Sequence, residues 1–371
     1  MTMNTATEEK NEIRSLARQF ALEQLRPHTE RWDHDARVDE AVRAQLAELG
    51  FFGMRAPEAH GGMGFALPVY LAALEEIAWG EPAVAMTLAA SDTVAALLLR
   101  HGSDAQRLAW LERMAAGEIV GAVAVAEDEA GADVQAITTT ARRDGDGWRL
   151  SGEKRWVTNG SSAGLVLVLA RAGDGAPGLF LVPTDVQGWT VVRREVTLGL
   201  RPLELVTVRL DDVRVGMDAL LGDARAGASA LDSVAADARL GIAAVAVGIA
   251  RAALEHARGY AAERQQFGQP LRAFQGIQFK LADMALRTAA ASALLGVAAE
   301  SGESGVAEMA KVFASETAMW VTTQAVQIFG GYGYMRDYPV EKLMRDAKAM
   351  EIVEGTNDVL RVRIAESLYE T

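Results

Sequence analysis

The hydrophobic period of this 371-residue chain changes twice, and that double change limits the folds open to it. Over residues 7–26, Ile13, Leu16, Ala17, Phe20, Leu22 and Leu25 recur at spacings of three and four, the signature of an amphipathic helix. Pro27 should stop it, because proline has no N–H to give. Similar spacing marks helices around 42–51, 69–79, 83–100 and 104–116. From 118 to about 222 the apolar residues fall instead into short runs, among them Val123 and Val125, Trp148 and Leu150, and Val166 to Leu169. Asp144-Gly145-Asp146-Gly147, Gly173-Asp174-Gly175 and Gln187-Gly188 punctuate them, which predicts short strands joined by turns. Helical spacing returns near 226 and holds to the end, in alanine-rich stretches over 227–263, 274–301, 305–329, 340–350 and 357–369. Long alanine-rich helices suit close antiparallel packing. The expected fold class is α+β: an N-terminal all-α domain (1–117), a middle β-barrel or sandwich domain (118–224) and a C-terminal helical bundle (225–371).

Several function classes are set aside by what the chain contains. A formal charge of −13 argues against nucleic acid or an anionic membrane as the principal partner. There are no cysteines, so disulfides, thiolate catalysis and thiolate metal sites are excluded, and the five histidines show no metal-ligand spacing. The charged start, Glu8-Glu9-Lys10-Asn11-Glu12, has no signal-peptide core, and runs such as residues 242–250 are short for a membrane span. A cytoplasmic protein is expected.

Four stretches lack an obvious structural need. The first is Met350 to Leu360, where Glu354 lies between the apolar pair Ile352-Val353 and Gly355. Glycine suits a tight bend, and Thr356, Asn357 and Asp358 are good N-cap types ahead of a new helix. A carboxylate at such a bend, partly desolvated, becomes a better base near neutral pH. The second, Trp156-Val157-Thr158-Asn159-Gly160, reads locally as a strand ending in an Asn-Gly hairpin turn. The third, Arg264 to Leu271, breaks a long helix and leaves an arginine at its C-terminal end, where it offsets the dipole. The fourth, Gln327 to Tyr334, is a glycine cluster whose exposed backbone can approach phosphate, although a helix C-cap explains part of it.

In this order the motifs resemble the acyl-CoA dehydrogenase flavoprotein family over nearly the whole chain. The C-terminal third is most specific: Glu263-Arg264, Gln266-Phe267-Gly268, Pro270-Leu271, Tyr338-Pro339-Val340-Glu341-Lys342, Met344-Arg345-Asp346-Ala347 and Ile352 to Thr356 stand at family spacing. The resemblance implies a four-helix C-terminal domain and FAD bound between it and the β domain. It places Trp156 and Thr158 against the flavin ring. Arg264, Gln327, Gly330 and Gly331 would meet the diphosphate and adenosine across a subunit interface, with Phe267, Thr356 and Asp358 also on the cofactor. A shared site implies a homo-oligomer, a dimer or a tetramer. Glu354 falls on the family's catalytic base, taking the α-proton of an acyl thioester while the β-hydride goes to flavin N5. Electrons would then pass to an electron-transferring flavoprotein. Arg239 stands where the family meets the phosphopantetheine arm, and Val353 and Gly355 border the substrate. Some members carry the base at the position of Ala238, which cannot serve here.

The chain departs from the family pattern in ways that bear on substrate. The motif Thr-Glu-Pro-x-Ala-Gly-Ser-Asp reads Ala126-Glu127-Asp128-Glu129-Ala130-Gly131-Ala132-Asp133, without either hydroxyl. Backbone N–H groups at Val125 and Ala126 would have to serve the flavin, and Ala132 would lie by the diphosphate. Val353 replaces a common tyrosine beside the base, and Glu366 replaces an arginine. Coenzyme A thioesters are the first expectation. Acyl, hydroxyacyl or aminoacyl groups on an acyl carrier protein are the second. A flavin oxidase, a monooxygenase or a non-catalytic relative is the third.

Overall fold

The computed structural model describes residues 3–131, 133–172 and 175–369, with side chains from residue 8 onward. The N-terminal domain is built from α1 (Met3–Phe20), α2 (Thr29–Asp35), α3 (Glu40–Glu48), α4 (Leu67–Gly80), α5 (Pro82–His101) and α6 (Asp104–Ala115). The helix expected to run to residue 26 loosens first: Ala21–Leu25 forms a π turn and Arg26–His28 a 3-10 turn. Pro27 cannot continue α-helical bonding, and the chain reaches it through this irregular turn. α4 is buried on every face from Val69 to Gly80. Even Glu75 and Glu76 on it are enclosed, engaged by Arg251 at 2.5 Å and Arg14 at 2.7 Å. Helix α6 begins with a reciprocal capping box between Ser103 and Gln106.

The middle domain is a mixed sheet of β1 (Gly121–Ala124), β2 (Thr140–Asp144), β3 (Gly147–Thr158), β4 (Leu165–Ala172), β5 (Pro177–Pro183), β6 (Trp189–Arg194), β7 (Leu205–Gly216) and β8 (Leu220–Leu221). The order is β6-β7-β3-β2-β4-β5-β8, with β1 parallel to β4. The Asn159-Gly160 turn is not a hairpin. β3 pairs with β2 and β7, while β4 pairs with β1, β2 and β5. Asn159 is buried at the turn with φ +62°, and its amide donates to Thr87 O and Gly121 O, both at 3.2 Å. The turn therefore docks the end of β3 on α5 instead of reversing the strand.

The C-terminal domain contains α7 (Gly227–Glu263), α8 (Gln275–Ser301), α9 (Ser304–Phe329), α10 (Pro339–Met350) and α11 (Asn357–Ser367). A small hairpin, β9 (Gln265–Gln266) with β10 (Gln269–Pro270), follows α7. α7 is the axis of the molecule. Every residue from 239 to 250 is buried, and the helix packs on α4, α5, α8, α9 and α10. Its alanines allow that many neighbours to approach one helix.

A buried clasp fixes the three domains together. Lys342 of α10 donates to Glu81 at 2.9 Å and to Asp346 at 2.7 Å, and all three are buried. Glu81 also caps α5, accepting from Ala83 N at 3.2 Å. Asp346 accepts from Leu200 N of the β domain at 2.5 Å. The neighbouring Gly199 is required by this closeness: a Cβ there would lie 2.2 Å from the Arg345 carbonyl carbon.

The expectation that no apolar stretch reaches span length needs correction. Among the described residues α5, α7 and α8 are long and apolar enough to cross a membrane by length and composition, with mean hydropathy 1.6, 1.6 and 1.3. The alanine content raises the average over windows that contain few charges. α5 and α7 are largely covered by other helices, but only 28% of the apolar window of α8 is buried.

Candidate active site

The turn between α10 and α11 carries Glu354 in the left-handed region, φ +54°, followed by Gly355 at φ +95°. A non-glycine residue rarely adopts this conformation, and it persists only where the surroundings enforce it. They do so through both carbonyls of the bend. Arg239 Nε of α7 donates to Glu354 O at 3.4 Å, and Lys311 Nζ of α9 donates to Gly355 O at 2.8 Å. Thr356 then caps α11, its hydroxyl accepting from Val359 N at 3.4 Å. Asn357 is buried beneath the turn, where its Oδ1 accepts from Lys311 at 2.9 Å. Val353 is half-buried against the main core, while Asp358 is exposed in the first turn of α11, where an acid complements the helix dipole.

Glu354 stands at the surface, exposed on one side as a residue. Protein packed around its other sides desolvates it and raises its pKa above the ordinary carboxylate value, against the opposing pull of Arg239 and Lys311. A carboxylate of raised proton affinity on a fixed bend can accept a proton from a bound molecule. Arg239 is itself buried, with Nη1 on Glu308 at 2.9 Å. The residue assigned by resemblance to the thioester arm is thus already engaged by an acid and by the backbone of the base.

On the β domain, Trp156 also has a positive φ, +55°. An extra residue in β3 opposite β7, between Lys154 and Val157, makes a bulge that leaves Trp156 about half exposed. Thr158 is half-buried two residues on, and no hydrogen bond, ion pair or ring contact joins either residue to Glu354 among the described residues. Residues 125–127 are anchored to β3. Arg155 N donates to Ala126 O at 2.9 Å, and Lys154 Nζ donates to Val125 O and Glu127, both at 2.8 Å. Burial works against the Glu127 charge, but donors on Lys154, Thr138 and Thr139 outweigh it and hold its pKa at about 2. Ala132 lies outside the described residues.

Arg264, Phe267, Gln327, Gly330 and Gly331 gather elsewhere, at the far end of α7 and α9. A cleft of about 510 Å³ is lined there by Arg264, Gln266, Tyr332, Gly330 and Gly331 among others. Phe267 projects from the β9–β10 turn, 93% exposed. Arg239 and Arg264 lie on one helix about 37 Å apart at ~1.5 Å per residue. Within one chain the structure therefore sets Glu354 with Arg239 apart from Arg264, Gly330 and Gly331 at the other end of α7, with Trp156 and Thr158 on the β domain.

Sequence reasoning missed Lys311, Glu308 and Asn357. No spacing signal marks the first two, which lie on α9 far from Glu354 in the chain, and Asn357 read only as a capping type.

These features define an acid–base site on a three-domain α–β–α scaffold. The family descriptions Acyl-CoA dehydrogenase, N-terminal, middle and C-terminal domain match residues 7–118, 122–213 and 225–369. A probable acyl-CoA dehydrogenase of Bacillus subtilis (strain 168) is 38% identical over 98% of this chain and 99% of its own length. Butyryl-CoA dehydrogenase from Megasphaera elsdenii superposes with a TM-score of 0.95 at 34% identity, covering 99% of this chain and 98% of its own. The prolyl acyl carrier protein oxidase AnaB superposes with a TM-score of 0.92 at 28% identity, covering 97% and 98%. The chain belongs to the acyl-CoA dehydrogenase family, FAD-dependent oxidoreductases acting on CH–CH groups.

The residues present fit FAD. Around the Arg264 cleft, Gly330 (φ +63°) and Gly331 have no atom within 4 Å of where a Cβ would stand, so their backbone is open to a diphosphate beside a guanidinium. The bulged Trp156 offers an aromatic face to a flat ring.

Proposed function

We propose that this protein catalyses α,β-dehydrogenation of an acyl thioester, with Glu354 as the base that removes the α-proton. The observation that carries this reading is the Glu354 bend: a desolvated carboxylate on an exposed residue in an enforced left-handed conformation, with the backbone carbonyls of Glu354 and Gly355 pinned by buried cations. FAD, when bound, supplies the acceptor for the hydride lost from the β-carbon. Trp156 and Thr158 orient the ring from the β domain. Val353 and Gly355 shape the space next to the α-carbon. The pinned backbone keeps the carboxylate from swinging away, which preserves proton-transfer geometry.

The cofactor site is completed between two copies of the chain. The separation of Arg264, Gln327, Gly330 and Gly331 from Glu354 supports this, as do Phe279, Leu286 and Val297 exposed along α8. The assembly is a dimer or tetramer, and electrons leave to an electron-transferring flavoprotein.

A second reading places the acyl, hydroxyacyl or aminoacyl group on a carrier protein. The structural likeness to a prolyl acyl carrier protein oxidase favours it, together with alanine at 126. Anaerobic mixing of the FAD-loaded protein with the same acyl group on coenzyme A and on a carrier protein decides between them. The reading predicts bleaching of the flavin and a thioester product lighter by two hydrogens with coenzyme A. Bleaching with the carrier thioester alone favours the second reading. Bleaching with neither, across straight and branched chains, contradicts both.

A further inference from the structure

The charges around the Glu354 bend are not evenly matched. Two buried cations, Arg239 of α7 and Lys311 of α9, face it. Arg239 has a buried acid of its own, Glu308, at 2.9 Å. Lys311 has none: its hydrogen bonds go to neutral acceptors, Gly355 O at 2.8 Å and Asn357 Oδ1 at 2.9 Å. Asn357 is oriented for this by Ser315, to whose hydroxyl its amide donates at 3.0 Å. The other acids near Lys311 are occupied, Glu351 by Lys348 at 2.5 Å and Glu316 by Arg361. Among the described residues, neither Lys311 nor Glu354 has a partner at ion-pair distance, and the two do not pair with each other. A fully buried ammonium without a counter-charge is costly, and Lys311's pKa is lowered to about 8, chiefly by burial, with Glu354 the largest opposing influence.

Resting on the reading of Glu354 as the base, we propose that Lys311 is its positioning residue. Lys311 clamps the Glu354–Gly355 bend through neutral acceptors, and Glu308, by engaging Arg239, partly offsets the other cation that faces the Glu354 carboxylate. Glu308 is itself faced by Arg239 and Asp232 from α7 and by Arg363 and Glu366 from α11. Arg363 stands 3.8 Å from it and is also drawn to Asp232 at 3.1 Å, so Arg239 is its closer partner. The arrangement makes a signed prediction. Removing the Lys311 charge takes away a cation that favours ionised Glu354, so its proton affinity rises. Removing the Glu308 charge leaves Arg239 to act on Glu354 unopposed, so its proton affinity falls. Simple damage to packing would move both the same way.

The test uses FAD-loaded protein labelled with 13C-glutamate. The Glu354 carboxyl band, identified as the one lost in Glu354→Gln, is titrated by infrared difference spectroscopy. The pH dependence of anaerobic bleaching by an acyl thioester is recorded alongside. Lys311→Met moves the titration to higher pH and Glu308→Gln moves it to lower pH, each by about one unit or more. The acid limb of bleaching follows, and Lys311→Arg stays near the wild type. Shifts in the same direction, or none, overturn the proposal. If Lys311→Met does not fold, Glu308→Gln alone decides, by a downward shift or its absence. Failure of the underlying reading shows itself differently, as normal bleaching by Glu354→Gln.

Discussion

Glu354, Trp156 and Phe267 share a backbone conformation that side chains disfavour, with φ of +54°, +55° and +52°. Each such residue costs on the order of 1 kcal/mol or more, which the surrounding contacts must offset. Gly355 makes the first of them feasible by turning the chain at φ +95°. Gly355→Ala should lower stability by about 1–3 kcal/mol, since its Cβ would also stand 3.2 Å from Leu360 Cδ2. The same substitution should slow anaerobic bleaching by about tenfold or more, as expected for a displaced base. Thermal melting and stopped-flow absorbance check the two effects. The acid, the bend and the cap at 354–358 were legible in sequence because they are contiguous and each residue type has a local preference. Lys311 and Glu308 were not legible, because α9 brings them to the bend only through helix packing. Arg239 was placed near the substrate by resemblance alone, and its engagement by Glu308, 69 residues away in the chain, has no sequence signal.

At the scale of elements, one buried ion pair, Lys154 with Glu127, helps tie the chain after β1 to β3. With its folded pKa at about 2, below the ordinary value of 4.5, Glu127 contributes stability that is complete above about pH 4.5 and lost as pH falls toward 2. Glu127→Gln should abolish that acid-side dependence and should destabilise by about 3–5 kcal/mol at neutral pH, because Lys154 would remain buried without its partner. Denaturant unfolding across this pH range reads both. Lys342→Met strands Glu81 and Asp346 together in the clasp, and a similar loss of about 3–5 kcal/mol is expected. Helix α7 matched its sequence periodicity over 227–263, since a long run averages over local irregularities. The Asn159-Gly160 turn did not become a hairpin. Turn residues specify a reversal of direction, but which strand pairs with β3 is set by distant β7. The π turn before Pro27 likewise has no signature beyond the proline.

At the scale of the whole molecule, the residues around Glu354 and those around Arg264 lie far apart along α7. The three-domain order was legible because the hydrophobic period itself changes at each junction. The proposed assembly rests on resemblance, for an apolar residue on α8 looks the same in sequence whether another helix or another chain covers it. Leu286→Glu on the exposed face of α8 should reduce the mass seen by light scattering from a multiple of 39.6 kDa toward that of one chain, and FAD should be lost with it. A monomer that keeps its FAD would show that a single chain suffices. The chemistry is tested most directly by Glu354→Gln in the anaerobic half-reaction, with FAD content measured on the same preparation. FAD retained and bleaching reduced by about 10²–10⁴-fold is the predicted result, since a positioned base supplies that much in rate. Bleaching at the wild-type rate with FAD bound would contradict Glu354 as the base.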